Sequence, residues 1–188
     1  MRPNLKAPQT IVLLSGYARS GKDTFAEGMT RYSNAIKRIA YADALKDAGN
    51  EFALMLGLNA NFHEENFKTA NRDTLVAMGR FARSLHKDVF VYNLTETAKR
   101  ERGHVVVPDC RYLNETIVTR QIMGEIRGWR VVHLHIETEG VGPANDEEAT
   151  SIREMLEGVI PDQTYHFKPN SAVTIREVAA SVAKHLQL

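Results

Sequence analysis

Apolar residues run without a break at Ile11-Val12-Leu13-Leu14 and again at Val105-Val106-Val107. Unbroken runs of this length are the pattern of strands buried on both faces, as in parallel sheets covered by helices on each side. Between them the period lengthens. Phe25, Ala26 and Met29 share one face of a helix expected over 22–32, and a weaker strand is expected over 36–41. Asp43 can cap a following helix whose apolar face carries Leu45, Phe52, Met55 and Leu56 and which ends near Gly57. Residues 58–71 show no period and read as a polar surface excursion. Leu75, Val76, Met78 and Phe81, then Val89, Val91, Leu94 and Ala98, predict two helices over 72–102. After the strand at 105–107 comes a helix over 114–127 with Ile117, Val118, Ile122 and Ile126 inward, closed by Gly128. A strand over 130–137, a break at 140–143, a charged helix over 145–157, a short strand over 165–168 and a helix carrying Ile175, Val178, Val182 and Leu186 complete the chain.

This order predicts an α/β fold of three layers around a five-stranded parallel sheet. With 188 residues, one domain is expected over 1–188. Its core is drawn from 8–42, 103–137 and 163–188, with excursions at about 43–102 and about 138–160. The net charge of +1 sets up no long-range field, so neither nucleic acid nor a membrane is an expected partner, and any anion site must be local. The single cysteine, Cys110, cannot form an internal disulfide. Met1 to Thr10 carries Arg2 and Lys6 without an apolar stretch, so no signal peptide is expected, and no run reaches the ~20 apolar residues of a membrane span. A cytoplasmic protein is the expectation, and the oligomeric state is left open between monomer and homodimer.

Chemistry enters directly after the first strand, at Gly16-Tyr17-Ala18-Arg19-Ser20-Gly21-Lys22-Asp23-Thr24. A buried strand, a glycine-bounded turn, a lysine and a helix are the parts of a phosphate cradle: backbone N–H groups converge on phosphate oxygens, the helix start adds partial positive charge, and the lysine reaches the outer phosphates. Asp23 stands where a magnesium-binding hydroxyl is usual, and Thr24 brings a hydroxyl one position late. A carboxylate can serve a hard cation directly or through water. The second apolar strand ends in Pro108-Asp109-Cys110-Arg111, which would place the Asp109 carboxylate at the same sheet edge, near magnesium. His133 and His135 alternate along a strand but have no third ligand to complete a metal set. Cys110 has no partner histidine in sequence and is expected to pack. Trp129 and the tyrosines are expected in core or rim.

Three segments resemble the phage-type deoxynucleoside monophosphate kinases, relatives of adenylate and guanylate kinase. The Arg19-Ser20-Gly21-Lys22-Asp23-Thr24 ending is similar to that family's own phosphate loop, aspartate included. Leu75-Val76-Ala77-Met78-Gly79 is similar to a helix end in its substrate-binding insertion. Val107-Pro108-Asp109-Cys110-Arg111, with Glu115 on the next helix and then Gly128 to His135, is similar to its Asp-x-Arg strand end and following strand.

The resemblance implies a phosphate-loop fold in which 43–102 is a helical acceptor-binding insertion and 138–160 a short lid. It implies ATP and Mg²⁺ as cofactors, a deoxynucleoside monophosphate as acceptor and, for a phage-encoded chain, the host cytoplasm as location. The γ-phosphoryl would pass to the 5′-phosphate, giving ADP and a deoxynucleoside diphosphate. That acceptor is already an anion, so the protein must align two polyanions and neutralise their charge. Lys22 would hold the β- and γ-phosphates. Gly16, Ala18, Ser20, Gly21, Asp23 and Thr24 would line the ATP site, and Asn170 would touch adenine or simply turn the chain. Asp23 and Asp109 are the magnesium candidates. Arg19 would bridge donor and acceptor, Arg111 would hold the acceptor phosphate, and Lys46, Lys68, Arg72 and Arg83 are candidates for acceptor contacts, with Arg72 and Arg83 preferred. Arg153 would act as an arginine finger or pair with Glu147 or Glu157. The rival expectations are another small-molecule kinase, similar to dephospho-coenzyme A kinase, and a nucleotide-binding protein without catalysis.

Overall fold

The computed structural model describes residues 8–188, so most of the amino-terminal segment read above for a signal peptide lies outside the described residues. Five strands, β1 Gln9–Ser15, β2 Ile36–Arg38, β3 His104–Val107, β4 Trp129–Thr138 and β5 Gln163–Phe167, form one parallel sheet in the order β2-β3-β1-β4-β5. The helices are α1 Lys22–Tyr32, α2 Asp43–Met55, α3 Glu65–Ala70, α4 Arg72–Leu85, α5 Val89–Arg100, α6 Leu113–Gly124, α7 Asp146–Gly158 and α8 Ala172–His185.

β1 is unbroken in its apolar run because it lies at the centre of the sheet. Ile11 is level with Val105 of β3 on one side and Val131 of β4 on the other, and neither face of β1 meets water. Ile11 and Leu13 enter one core with Phe90, Val91 and Leu94 of α5 and Ile152 and Met155 of α7. Val12 and Leu14 enter the other with Phe25 and Met29 of α1 and Ile175 and Ala179 of α8. Each such fully buried aliphatic contributes about 2 kcal/mol of transfer free energy. On the second face α1 and α8 touch at Gly28, where a Cβ would lie 2.8 Å from the Arg176 backbone.

Several predicted elements are revised. β2 stops at Arg38 rather than 41, because Tyr41 and Ala42 turn to donate their backbone N–H groups to Asp109. Asp109, and not Asp43 alone, therefore holds the entry to α2. The expected apolar face of α2 is a core face only at Leu45, which packs against the core; Phe52, Met55 and Leu56 are exposed, and the buried positions are Gly49 and Ala53. Gly49 is buried because the Phe62 ring lies against it, so 58–71 is not a plain surface excursion. That segment contains α3, and Phe62 and Phe67 meet edge to face. On α6 and just after it, Val118, Ile122 and Ile126 pack against the core as expected, but Ile117 is exposed, and the buried positions are Glu115, Thr116, Thr119 and Met123. The Tyr41 hydroxyl accounts for the buried Thr119, since it meets Thr119 Oγ1 while donating to the Glu115 backbone carbonyl.

Because all five strands are parallel, the segments following β1, β3 and β4 emerge at the same edge of the sheet, the usual ligand edge of such folds. No helix of the described residues is long and apolar enough to cross a membrane.

Candidate active site

The loop from Gly16 to Gly21 reverses the chain tightly enough to need three left-handed residues: Gly16 (φ 136°), Arg19 (φ 66°) and Gly21 (φ 95°). At Gly16 a Cβ would stand 2.1 Å from the Ile136 carbonyl oxygen, so glycine is required by space as well as by φ. Arg19 has no such freedom, and its conformation costs of order 1 kcal/mol, held by the loop around it. The Ser20 N–H bonds to Tyr17 O at 3.1 Å, and Thr138 Oγ1 at the end of β4 donates to Ser20 O at 2.9 Å. Lys22 curls back over the loop, its Nζ 2.8 Å from Gly16 O and 2.6 Å from Tyr17 O. Burial, with the Arg111 guanidinium nearby, lowers its pKa to about 8. Ser20 Oγ is buried and has no hydrogen-bond partner among the described residues. A lysine served only by its own loop carbonyls and an orphaned hydroxyl fit a cradle built for phosphate oxygens.

The end of β3 reaches the same place. Asp109 accepts Tyr41 N–H and Ala42 N–H at 2.9 Å each, and burial raises its pKa. Glu115, buried in the first turn of α6, accepts Arg111 N–H at 2.7 Å and Tyr112 N–H at 3.0 Å, which fixes the backbone carrying Arg111. Desolvation pushes its carboxyl up to about 7. The Arg111 guanidinium lies 3.4 Å from Glu148 Oε1, and the same oxygen accepts the Ala18 N–H of the loop at 3.0 Å. Glu148 comes from the first turn of α7 and is 2% exposed. Its other oxygen accepts Ala144 N–H at 2.7 Å, and its own N–H bonds to Asn145 Oδ1. An anion is thus held between a loop amide after β1 and an arginine after β3.

The remaining expected residues divide by place. Arg83 is brought to the site's margin, its guanidinium 4.6 Å from the Tyr112 ring centre and 4.9 Å from that of Phe90. Lys46 pairs with Asp43 at 3.2 Å. Lys68 pairs with Glu65 on the surface of α3. Arg72 and Arg153 are exposed and have no ion pair among the described residues, and Glu147 pairs with Arg80 instead of Arg153. Asn170 takes a left-handed turn conformation, φ 60°, between β5 and α8. Asp23 is exposed in the first turn of α1, where its charge favours the Lys22 ammonium, and Thr24 follows half-buried.

Three participants, Glu148, Tyr112 and Arg80, went unread in the sequence as parts of the site, and Glu147 was expected only as a partner of Arg153. Glu148, Glu147, Tyr112 and Arg80 link the loop, α6, α7 and α4: Glu147 accepts the Tyr112 hydroxyl at 2.9 Å and an Arg80 N–H at 3.1 Å. The only sequence signal was Asn145-x-x-Glu148, which reads as a helix cap with a glutamate three residues on. His133 and His135 both turn to Ser15, with Ser15 Oγ 2.7 Å from His133 Nε2 and 2.8 Å from His135 Nδ1. Among the described residues His133 Nδ1 has no partner, and an orphaned acceptor costs less there than an orphaned N–H. His133 therefore donates from Nε2 to Ser15, Ser15 donates to His135, and His135 donates onward to Glu137, 3.3 Å away. This chain braces the strand end from which the loop departs. Cys110 is buried, with Sγ 3.3 Å from Thr116 Oγ1. Among the described residues no three His, Cys, Asp or Glu side chains are grouped to hold a metal.

The described residues form a three-layer α/β fold around a five-stranded parallel sheet, with a tight glycine-bounded loop directly after the central strand. No family model matches the chain, nor does any curated protein. Solved structures similar to it include the Mycobacterium tuberculosis APS kinase CysC in complex with AMPPNP and APS, at 17% identity over 97% of this chain and 100% of that one, TM-score 0.49. A gluconokinase from Sinorhizobium meliloti 1021 is 17% identical over 96% of this chain and 94% of its own, TM-score 0.47. A sugar kinase from Janibacter sp. HTCC2649 is 16% identical over 93% of each chain, TM-score 0.46. With every one of these TM-scores below 0.5, the functional reading rests on the chain's own geometry.

Proposed function

We propose that this chain is a kinase that moves the γ-phosphoryl group of ATP onto the phosphate of a deoxynucleoside monophosphate. The observation that carries the reading is the convergence of the Ala18 N–H and the Arg111 guanidinium on one carboxylate oxygen. Two anion-binding groups from separate strand ends meet at a point, as a transfer between two phosphates requires and a simple nucleotide holder does not.

In this reading Lys22 leaves its loop carbonyls for the β- and γ-phosphates, and the loop amides and α1 start take the remaining oxygens. Arg19 and Arg111 draw donor and acceptor together, while the Glu115 carboxylate keeps the Arg111 backbone in place. Residues 43–102 bind the acceptor, with Arg83 the best placed of the expected cations, and the segment from 138 into the first turn of α7 closes over the site to exclude water while Ile152 and Met155 keep the rest of α7 on the sheet. A bound magnesium ion would supply positive charge to the triphosphate there. The donor set suits an ion that keeps water and phosphate ligands rather than one caged by protein: Asp109 already holds two amides and Asp23 is solvated, so either would serve through water.

The test is ADP release from ATP and magnesium across deoxy- and ribonucleoside monophosphates, with dephospho-coenzyme A, APS and sugars as competing acceptor classes. Turnover with a deoxynucleoside monophosphate is expected. No turnover above background with any nucleotide acceptor would sink the assignment.

A further inference from the structure

We infer that Glu148 is a built-in phosphate surrogate: its carboxylate fills the anion position between Ala18 N–H and Arg111, and an incoming triphosphate displaces it. The inference rests on the proposed phosphate-loop reading and adds to it a residue that sets donor affinity and couples it to α7.

Glu148 Oε1 has both partners that a phosphate oxygen would use, a loop N–H at 3.0 Å and a guanidinium nitrogen at 3.4 Å. At 2% exposure the carboxylate is buried, and its charge also lies close enough to Lys22 to favour the ammonium. A buried anion is retained only where cations and N–H groups compensate it, so the same surroundings suit phosphate. The two cannot share the position, because like charges at contact distance in a dry site repel strongly.

Glu148 is also tied to its own helix. Oε2 accepts Ala144 N–H and the Glu148 N–H bonds to Asn145, so the side chain moves with the start of α7. The neighbouring Glu147 fastens the same turn to Tyr112 and Arg80. Displacing Glu148 from the loop therefore loosens the first turn of α7 from α4 and from the segment after β3. Donor binding and the freeing of the first turn of α7, which must precede its closure over the site, become one event, opposed by a carboxylate that must leave.

The experiment uses inorganic pyrophosphate, titrated calorimetrically into the full-length chain and into Glu148→Gln, which keeps an oxygen acceptor but removes the charge. We expect Glu148→Gln to bind at least about fivefold more tightly, since it no longer competes as an anion. Equal or weaker binding overturns the proposal, because a residue that merely positions Arg111 would not weaken the wild-type chain. Should the variant fold poorly, hydrogen exchange in the wild-type chain decides: pyrophosphate should speed exchange of the first-turn amides of α7, and unchanged or slower exchange overturns the inference. Lys22→Ala is the control for the underlying reading. Wild-type chain that binds no pyrophosphate removes the phosphate loop itself, and the surrogate with it.

Discussion

Lys22 is held between opposing influences, burial and Arg111 lowering its pKa while Asp23, Glu148 and Asp109 raise it. The net value of about 8 leaves it protonated at neutral pH. The protonated form attracts phosphate and is lost as pH rises through that value, so ADP affinity measured by calorimetry should fall as pH rises above about 8. Lys22→Ala should reduce turnover by at least about 10²-fold, since it removes a donor aimed at developing charge. Arg111 makes a different prediction. It is expected to meet acceptor phosphate in both ground and transition states, so Arg111→Ala should raise the acceptor KM and also lower kcat, each by about tenfold. Steady-state kinetics with unaltered constants would remove Arg111 from the site. At this scale the sequence was informative where a motif was complete: Lys22, Asp109 and Arg111 are all found at one sheet edge. Glu148 was not legible, because a capping glutamate and a ligand-mimicking glutamate look alike in one dimension.

Elements show how buried polar groups hold that edge together. The start of α6 is fixed by Glu115, whose folded-state pKa near 7 lies above the ordinary value of 4.5. The folded chain then keeps a proton that the unfolded chain has lost, so stability falls as pH rises between these two values. Glu115→Gln retains an acceptor for the Arg111 and Tyr112 amides and removes the titration. It should be more stable than wild type above neutrality, by at most on the order of 3 kcal/mol, and no more stable at acid pH. Thermal melts at the two pH values check this, and equal differences at both would show that Glu115 does not titrate in that window. On the other face, α1 and α8 approach at Gly28 with no space for a side chain. Gly28→Val should therefore destabilise by about 2 kcal/mol or more through overpacking, read from denaturant unfolding. The elements were mostly visible in hydrophobic period. Those misjudged in part, α2 and α6, keep Leu45 and, on the second, Val118 and Ile122 against the core, but most of their buried positions are small or polar: Gly49 and Ala53 on the first, Glu115, Thr116 and Thr119 on the second. Period cannot find a face that is defined by a phenylalanine ring on a glycine or by a tyrosine hydroxyl.

For the molecule as a whole, donor binding should appear as stability. A ligand that binds only the folded chain at 100 times its dissociation constant adds about 2.7 kcal/mol, or roughly 5–10 °C in Tm for a chain of this size. ADP with magnesium should raise the wild-type Tm by that order and leave Lys22→Ala unshifted; an equal shift in both would place the nucleotide elsewhere. The sequence by itself determined the strand at the centre, the glycine-bounded loop after it and the aspartate and arginine after β3, because unbroken apolar runs and positive-φ glycines are local demands that a chain must meet with particular residues. It did not determine which cations stand near the loop or what they face. Arg83 and Arg80 reach the site region while Arg72 and Lys68 remain at the surface, and Glu148 enters the loop from 130 positions away. Those placements depend on how α4 and α7 pack over the sheet edge. The loop therefore reads from the sequence as a phosphate cradle, and only the folded chain shows a carboxylate of its own already in it.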